Sequence, residues 1–242
     1  MDASGSPSRE AERTPVHPPQ TLDRREGPYG EVVLRRREEH FEIIANGTFL
    51  MDTSDGRSER LLVDAARDAL PEPARPGASV LVGGLGVGFS LAHAAADPHW
   101  GRITVVEREE AIIDWHRQGP LASISGAALA DPRTVILHTD LVEYLHTSPD
   151  TYDVLCLDID NGPDWTVTED NESLYGVDGL TACAARLKPG GVLAVWSARP
   201  SADFEESLRN AGFSGVRTEE VPVARGVPDA VHLAVRPGRL AG

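Results

Sequence analysis

The stretch from Ala78 to Glu107, ASVLVGGLGVGFSLAHAAADPHWGRITVVE, constrains this chain more than any other. A short apolar run, Val80 to Val82, breaks into a glycine-rich turn. The turn opens a helix-like segment, and a second apolar run, Ile103 to Val106, ends in an acid. Strand, turn, helix and strand in that order make the βαβ unit of a nucleotide-binding sheet. Gly84, Gly86 and Gly88 spell G-x-G-x-G behind Gly83, and without β-carbons the backbone there can turn tightly and let a ligand lie against it. Glu107 follows about 20 residues later at a strand tip, where a carboxylate can accept hydrogen bonds from the two hydroxyls of a ribose.

Which nucleoside is expected follows from what is missing. The dinucleotide fingerprint G-x-G-x-x-G wants a further small residue, but counting from Gly84 the last place is Phe89, and from Gly86 it is Leu91. There is no G-x-x-x-x-G-K-[ST] phosphate loop, and no lysine follows the glycines to hold a phosphate. G-x-G-x-G with an acid ending the next strand resembles motif I of the S-adenosylmethionine-dependent transferases. Glycines that only pack a strand against a helix would read the same in isolation, so the other strand tips decide.

With 242 residues, 40% hydrophobic and 25% charged, the chain has room for one sizeable domain and something small. No apolar run approaches the ~20 residues of a membrane span. A formal net charge of -15 argues against nucleic acid or an anionic membrane surface as a partner and suits a cationic acceptor such as an amine, although solubility alone accounts for much of it. Cys156 and Cys183 both lie in apolar segments and read as buried thiols of a reducing compartment. Met1 to Gln20 has no apolar core of a signal peptide, which makes the cytoplasm the expected location.

Residues 1–27 are rich in Pro, Ser, Glu and Arg without periodicity and read as a disordered tail. From Tyr29 to Asp52, β-rich runs flank Asn46-Gly47, a hairpin signal that predicts a small β-meander. Ser58 to Leu70 has apolar residues at helical spacing behind a serine N-cap, and Pro71, Pro73 and Pro76 end it. Residues 28–70 are therefore expected to form a small N-terminal β-domain with a linking helix, and 71–242 a Rossmann-like domain. In the latter, helices are expected over Glu110 to Arg117, Leu141 to His146, Leu174 to Leu187 and Ala202 to Ala211, and strands over Thr134 to His138, Tyr152 to Leu157 and Val192 to Ser197. Pro189-Gly-Gly reads as a turn, and Val216 to Val221 with Ala230 to Val235 as a closing antiparallel pair. Alternating strands and helices predict an α/β fold: a mostly parallel sheet with helices on both faces and an antiparallel last strand pair.

Ligands of such sheets bind beyond the carboxyl ends of the strands, at the switch in strand order. The first tip carries the glycines and the second Glu107. The third ends in His138-Thr139-Asp140, where Asp140 could accept a hydrogen bond from an adenine amino group. The fourth ends in Asp158-Ile-Asp160-Asn161-Gly-Pro-Asp164-Trp165, in which two carboxylates and an amide crowd one tip. Closely paired acids have shifted pKa values and can act as a base or hold a cation. Asp160 and Asn161 capping a turn would be the plainer use of the same residues. His, Cys and acid spacings give no metal set.

These features together resemble the spermidine/spermine synthase family, which builds its site on the S-adenosylmethionine methyltransferase fold. The shared elements are the small β-domain, the Asn-Gly hairpin, the glycine motif, Glu107, Asp140 and Tyr152-Asp-Val-Leu-Cys-Leu-Asp158, which looks like the strand leading into the family's D-S-S-D loop. Leu187-Lys-Pro-Gly-Gly-Val-Leu is shared with methyltransferases at large. There are also departures. The family's G-G-G-D-G-G carries an acid for the aminopropyl amine of decarboxylated S-adenosylmethionine, and aligned on Gly83-Gly84 its place is Gly86. D-S-S-D becomes Asp158-Ile-Asp160-Asn161. The Gln, Tyr and His that the family uses for the polyamine and its lid are absent from Met51-Asp-Thr-Ser-Asp-Gly-Arg-Ser-Glu-Arg.

The leading expectation is therefore methyl transfer from S-adenosylmethionine to a small-molecule acceptor. Gly83, Gly84, Gly86, Gly88, Glu107, Asp140 and Asp158 would hold the cofactor, and Asp158 and Asp160 would be catalytic. Asn161, Trp165, Asn171 and Tyr175 would line the acceptor side, although packing under a helix is an equally good reading of Tyr175. An aminopropyltransferase using decarboxylated S-adenosylmethionine is the alternative, with amine contacts from Asp160, Asp164 and Glu169. A non-catalytic adenosyl-ligand binding protein is the third reading. Members of the family often dimerise, so the resemblance also brings a homodimer into view, with the β-domain as a contact.

Overall fold

The computed structural model describes residues 18–71, 77–159, 161–164, 166, 169–223 and 226–238, without the side chains of residues 169 and 170. An N-terminal sheet of β1 (Gln20–Gly27), β2 (Gly30–Arg37), β3 (His40–Ala45) and β4 (Thr48–Asp52) is antiparallel in the order β1-β2-β3-β4. The Asn-Gly signal holds: Asn46 and Gly47 have φ of 50° and 78°, the pair of positive values that a tight hairpin needs. Residues 20–27, in contrast, are not part of a disordered tail as composition predicts. Gln20 to Gly27 pairs with β2 from Gln20↔Arg36 to Gly27↔Gly30, because a polar segment on a sheet edge needs only backbone partners and one half-covered face. Leu22 packs on the core, and Asp23 accepts a hydrogen bond from the indole of Trp115 at 2.8 Å.

The helix α1 (Arg57–Asp68) leads into the larger sheet, built on β5 (Ala78–Gly83), β6 (Trp100–Glu107), β7 (Thr134–His138), β8 (Tyr152–Leu157), β9 (Leu187–Ser197), β10 (Ser214–Val221) and β11 (Asp229–Val235). The strand order is β10-β11-β9-β8-β5-β6-β7. Strands β5 to β9 pair in parallel, and β11 is antiparallel to both β9 and β10. The fold class is thus the one expected. Ser58 does not cap α1, since Gly56 stands at the N-cap and Ser58 lies inside the helix. Pro189-Gly-Gly is no turn between elements but an irregular start of β9, where the pairing with β8 slips between Tyr152↔Leu187 and Val154↔Val192.

The remaining helices are α2 (Phe89–Ala96), α3 (Glu110–Arg117), α4 (Ala122–Leu129), α5 (Leu141–Thr147), α6 (Glu169–Tyr175), α7 (Val177–Arg186) and α8 (Ala202–Asn210). The sequence reading missed α4, whose small residues carry little amphipathic signal, and ran α6 and α7 together across Gly176. Alternate strand residues feed two cores. Val80, Val82, Val105, Val154 and Cys156 meet α1 to α4 on one face, while Leu81, Val106, Leu155 and Leu157 meet α5 to α8 on the other. Cys156 and Cys183 are buried and free, and they belong to opposite cores. No helix of the described residues is long and apolar enough to cross a membrane.

Candidate functional site

The chain leaves β5 for β6 and β7 on one side, then returns to lay β8 and β9 on the other, so the strand order switches between β5 and β8. At this switch the tips of three strands are tied together. The amide of Asp158 donates to the carbonyl of Gly83 at 2.9 Å, and the amide of Gly84 donates to the carbonyl of Val106 at 2.9 Å. Gly84, Gly86 and Gly88 all have positive φ, at 91°, 48° and 93°. A β-carbon on Gly84 would lie 2.4 Å from the carbonyl oxygen of Asp158, so this glycine is required by the close approach of the two tips. Gly83 serves packing instead, since its missing β-carbon makes room for Leu141 of α5.

Glu107 stands where the spacing predicts. Its Oε2 accepts from the amide of Leu85 in the glycine turn at 2.9 Å, and its Oε1 from the amide of Glu109 at 2.8 Å. Burial pushes its pKa up, and the amides of Glu109, Leu85 and Arg108, with the charge of Arg108, pull it back. At the β7 tip Asp140 caps α5, its Oδ1 accepting from the amide of Glu143 at 3.0 Å, and the amide of Thr139 donates to the carbonyl of Glu107 at 3.1 Å. The His138 Nε2 lies 3.0 Å from the carbonyl of Arg108.

The β8 tip is held from several sides. Asp158 accepts from the Ser90 hydroxyl of α2 at 3.0 Å. The carbonyl of Asn161 accepts from the amide of Ala198 at 3.2 Å, and Gly162, with φ of 96°, lies against Ser197. Tyr175 is buried beneath this loop, where its hydroxyl donates to the carbonyl of Ile159 at 3.1 Å and its ring meets Phe204 edge to face. It therefore braces the loop, as a buried tyrosine with a satisfied hydroxyl does. Asp164 is taken up by the Ser201 hydroxyl at 2.8 Å and Arg199 at 3.4 Å. Asp160 and Trp165 lie outside the described residues, and so does the side chain of Glu169.

Two acids that the sequence reading did not single out complete the site. Glu59, on α1 and only 7% exposed, feels the negative charges of Asp158 and of Asp229, the first residue of β11, and Asp158 feels that of Asp229. Burial and then Asp158 push Glu59 up to about 7. Burial, with Asp229 behind it and against the Ser90 hydroxyl, raises Asp158 to about 6. Burial raises Asp229 as well, against the Ser58 hydroxyl and the charge of Arg57, a guanidinium that pairs with Asp55 at 2.7 Å. Three carboxylates that resist ionising together form a site that a cation would relieve. The signal for Glu59 was faint: a lone acid inside an amphipathic helix. Asp229 has no motif at all.

The N-terminal sheet leans over the same edge. A β-carbon on Gly86 would fall 2.4 Å from Sδ of Met51, and one on Gly56 would strike the ring of Phe89. The guanidinium of Arg108 stacks over Tyr29, its carbon 4.5 Å from the ring centroid. Among the described residues no His, Cys, Asp and Glu group has a metal-binding arrangement.

No family model matches the chain. It is 17% identical to the spermidine synthase of Thermotoga maritima, with a TM-score of 0.72 over 90% of this chain and 73% of that one. The chain has the fold of a spermidine synthase. A spermidine synthase in complex with the transition-state analogue AdoDATO gives a TM-score of 0.71 at 17% identity, over 90% of this chain and 72% of that one. Among curated proteins, the chain is 28% identical over 183 residues to polyamine aminopropyltransferase 2 of Pseudomonas aeruginosa, covering 71% of this chain and 49% of that protein. It is 22% identical over 175 residues to polyamine aminopropyltransferase 2 of Ralstonia nicotianae, covering 72% of this chain and 33% of that protein. It thus spans half or less of the length of the curated relatives it matches. The relatives carry aminopropyl transfer in their names and give no support to methyl transfer, the leading expectation from the sequence.

Proposed function

We propose that the chain transfers an aminopropyl group from decarboxylated S-adenosylmethionine to a small cationic amine. The observation that carries this reading is the convergence of Glu59, Asp158 and Asp229 at the β5–β8 switch. The glycine turn from Gly83 to Phe89 contains no acid, and this absence led the sequence reading toward ordinary S-adenosylmethionine. The fold brings acids to the same edge from α1 and β11 instead. A cluster of carboxylates there favours a ligand that presents an ammonium and disfavours one that presents a carboxylate. The other parts agree with an adenosyl donor: the turn of Gly84 and Gly86 lies at the strand switch, and Glu107 stands at the tip of β6, where a ribose would lie.

Decarboxylated S-adenosylmethionine, when bound, supplies a three-carbon chain activated by a sulfonium. The acceptor nitrogen forms a bond to the carbon next to sulfur while the carbon–sulfur bond breaks, its electron pair going to sulfur to leave 5′-methylthioadenosine. The nitrogen must shed a proton, and Asp158, with its pKa raised to about 6, is suited to receive it. Glu59 and Asp229 hold the ammonium groups, and Asp160, two residues beyond Asp158 in the sequence, is the further acid assigned to the acceptor. Much of the rate then comes from aligning nitrogen, carbon and sulfur.

A calorimetric titration with decarboxylated and with ordinary S-adenosylmethionine, followed by incubation with putrescine and the better ligand, tests this reading. Tighter binding of the decarboxylated form, with release of 5′-methylthioadenosine, is the expected result. Tighter binding of the carboxylated form would return the reading to methyl transfer, and binding of either with no product from any amine would favour a non-catalytic role.

A further inference from the structure

A histidine that carries no motif in the sequence stands directly behind the glycine turn. His116, in α3, has no exposed surface. Its Nε2 is 2.8 Å from the carbonyl oxygen of Gly86, and its Nδ1 is 2.6 Å from the hydroxyl of Ser125 in α4. A carbonyl can only accept, so Nε2 carries the hydrogen, and the bare Nδ1 accepts from the Ser125 hydroxyl. Burial depresses the basicity of the ring, against the pull of the Gly86 and Leu121 carbonyls, and agrees with this neutral tautomer. The third glycine is shaped to the same ring: a β-carbon on Gly88 would lie 2.8 Å from Cε1 of His116 and 3.0 Å from Cβ of Ser125.

We infer that His116 is a positioning residue that sets the orientation of the peptide between Gly86 and Val87, and through it the shape of the turn that receives the adenosyl ligand. A glycine with φ of 48° can rotate its peptide at little cost, so the turn alone does not choose one orientation. The peptide group is rigid and trans. Fixing the Gly86 oxygen against His116 therefore aims the Val87 N–H the opposite way. Met51 limits the turn from its other side, where a β-carbon on Gly86 would meet the sulfur at 2.4 Å. The turn is thus clamped between the N-terminal sheet and the α3–α4 pair, and Ser125 holds the clamp in register. The consequence for binding rests on the adenosyl-ligand reading above; the consequence for the turn does not.

Amide hydrogen exchange on peptides covering residues 84–89 tests the turn directly. In His116→Ala, exchange there should quicken about tenfold, the loss of one buried hydrogen bond, while β10 and β11 exchange as in the parent. His116→Gln, whose side-chain amide can still donate to Gly86, should restore the parent rate, and Ser125→Ala should give an intermediate one. If the Ala variant does not fold, the Gln and Ser125→Ala pair still decides: equal exchange in both and in the parent overturns the inference. In parallel, 5′-methylthioadenosine affinity should fall about tenfold in His116→Ala and return in His116→Gln. A parent protein that binds no 5′-methylthioadenosine would sink the cofactor reading, whereas unchanged turn exchange in His116→Ala would sink this one.

Discussion

The carbonyl oxygen of Asp158 lies 2.4 Å from the place that a β-carbon on Gly84 would occupy. Neither group can yield, since one belongs to the end of a parallel strand and the other to a turn with φ of 91°. Gly84→Ala should therefore cost more than conformational strain, which is about 1–3 kcal/mol for a residue held in a sparsely populated region. Gly212→Ala is the control, because Gly212 has φ of 88° and open space around it. We expect chemical denaturation to show a larger loss for Gly84→Ala than for the control, with adenosyl-ligand binding lost only in the former. Equal losses would mean that the two tips can separate.

Glu59→Gln separates stability from function. Glu59, Asp158 and Asp229 hold protons more tightly in the folded chain than in the unfolded one. Their contribution to stability is therefore present at low pH and lost as pH rises through about 6 to 7. For Glu59, raised from 4.5 to about 7, the cost at pH 8 is on the order of 3 kcal/mol. The Gln variant escapes it and keeps an acceptor for the Ser58 hydroxyl, which donates to Glu59 Oε2 at 3.0 Å. Relative to the parent, it should gain stability between pH 5 and pH 8 while losing amine-dependent turnover. A variant equally destabilised at both pH values would show that the carboxylate is not strained.

Ligand binding should itself move protons. A cation placed among the three acids favours their ionised forms, so decarboxylated S-adenosylmethionine should release protons when it binds between pH 6 and 7. Calorimetry in two buffers of different ionisation enthalpy measures the number released. Proton uptake, or none, would place the ammonium elsewhere.

Glu107→Ala leaves the buried amides of Leu85 and Glu109 without their carboxylate. An unsatisfied buried donor costs about 1–3 kcal/mol, so thermal unfolding should shift clearly downward, and nucleoside affinity should fall with it. Glu107→Gln keeps one acceptor oxygen and should fall between the variant and the parent.

Tyr175→Phe removes only the hydroxyl that donates to Ile159. The ring keeps its edge-to-face contact with Phe204, so stability should drop by about 1 kcal/mol. The loop carrying Asp158 and Asn161 loses a brace, and kcat/KM should fall several-fold. An unchanged kcat/KM would show that Gly162 and Asn161 pin the loop without it.

Much of the fold was legible along the chain because its signals are local. β7, β8 and α3 begin and end where the apolar pattern places them, and Asn46-Gly47 makes its hairpin because both residues accept positive φ. Features that depend on distant partners were not legible. β1 looks like tail because its strand character comes from β2, and α4 is too evenly small to show a face. Tyr175 read equally as an acceptor contact or as a ring packed under a helix, and only the fold shows it buried with its hydroxyl on the backbone of Ile159.

The sheet, the turn of Gly84, Gly86 and Gly88, and the acid at Glu107 are written in the chain itself, because each follows from residues near one another along it. The acids that act on Asp158 from α1 and β11 are not written there and come from the folded arrangement. Glu59 and Asp229 are roughly 99 and 71 residues away from it and carry no motif. Carboxylates act on one another through space, with an energy that depends on distance and burial and not on spacing along the chain. A glycine turn without an acid therefore pointed one way, and the fold, by bringing acids from α1 and β11 to the same edge, points the other.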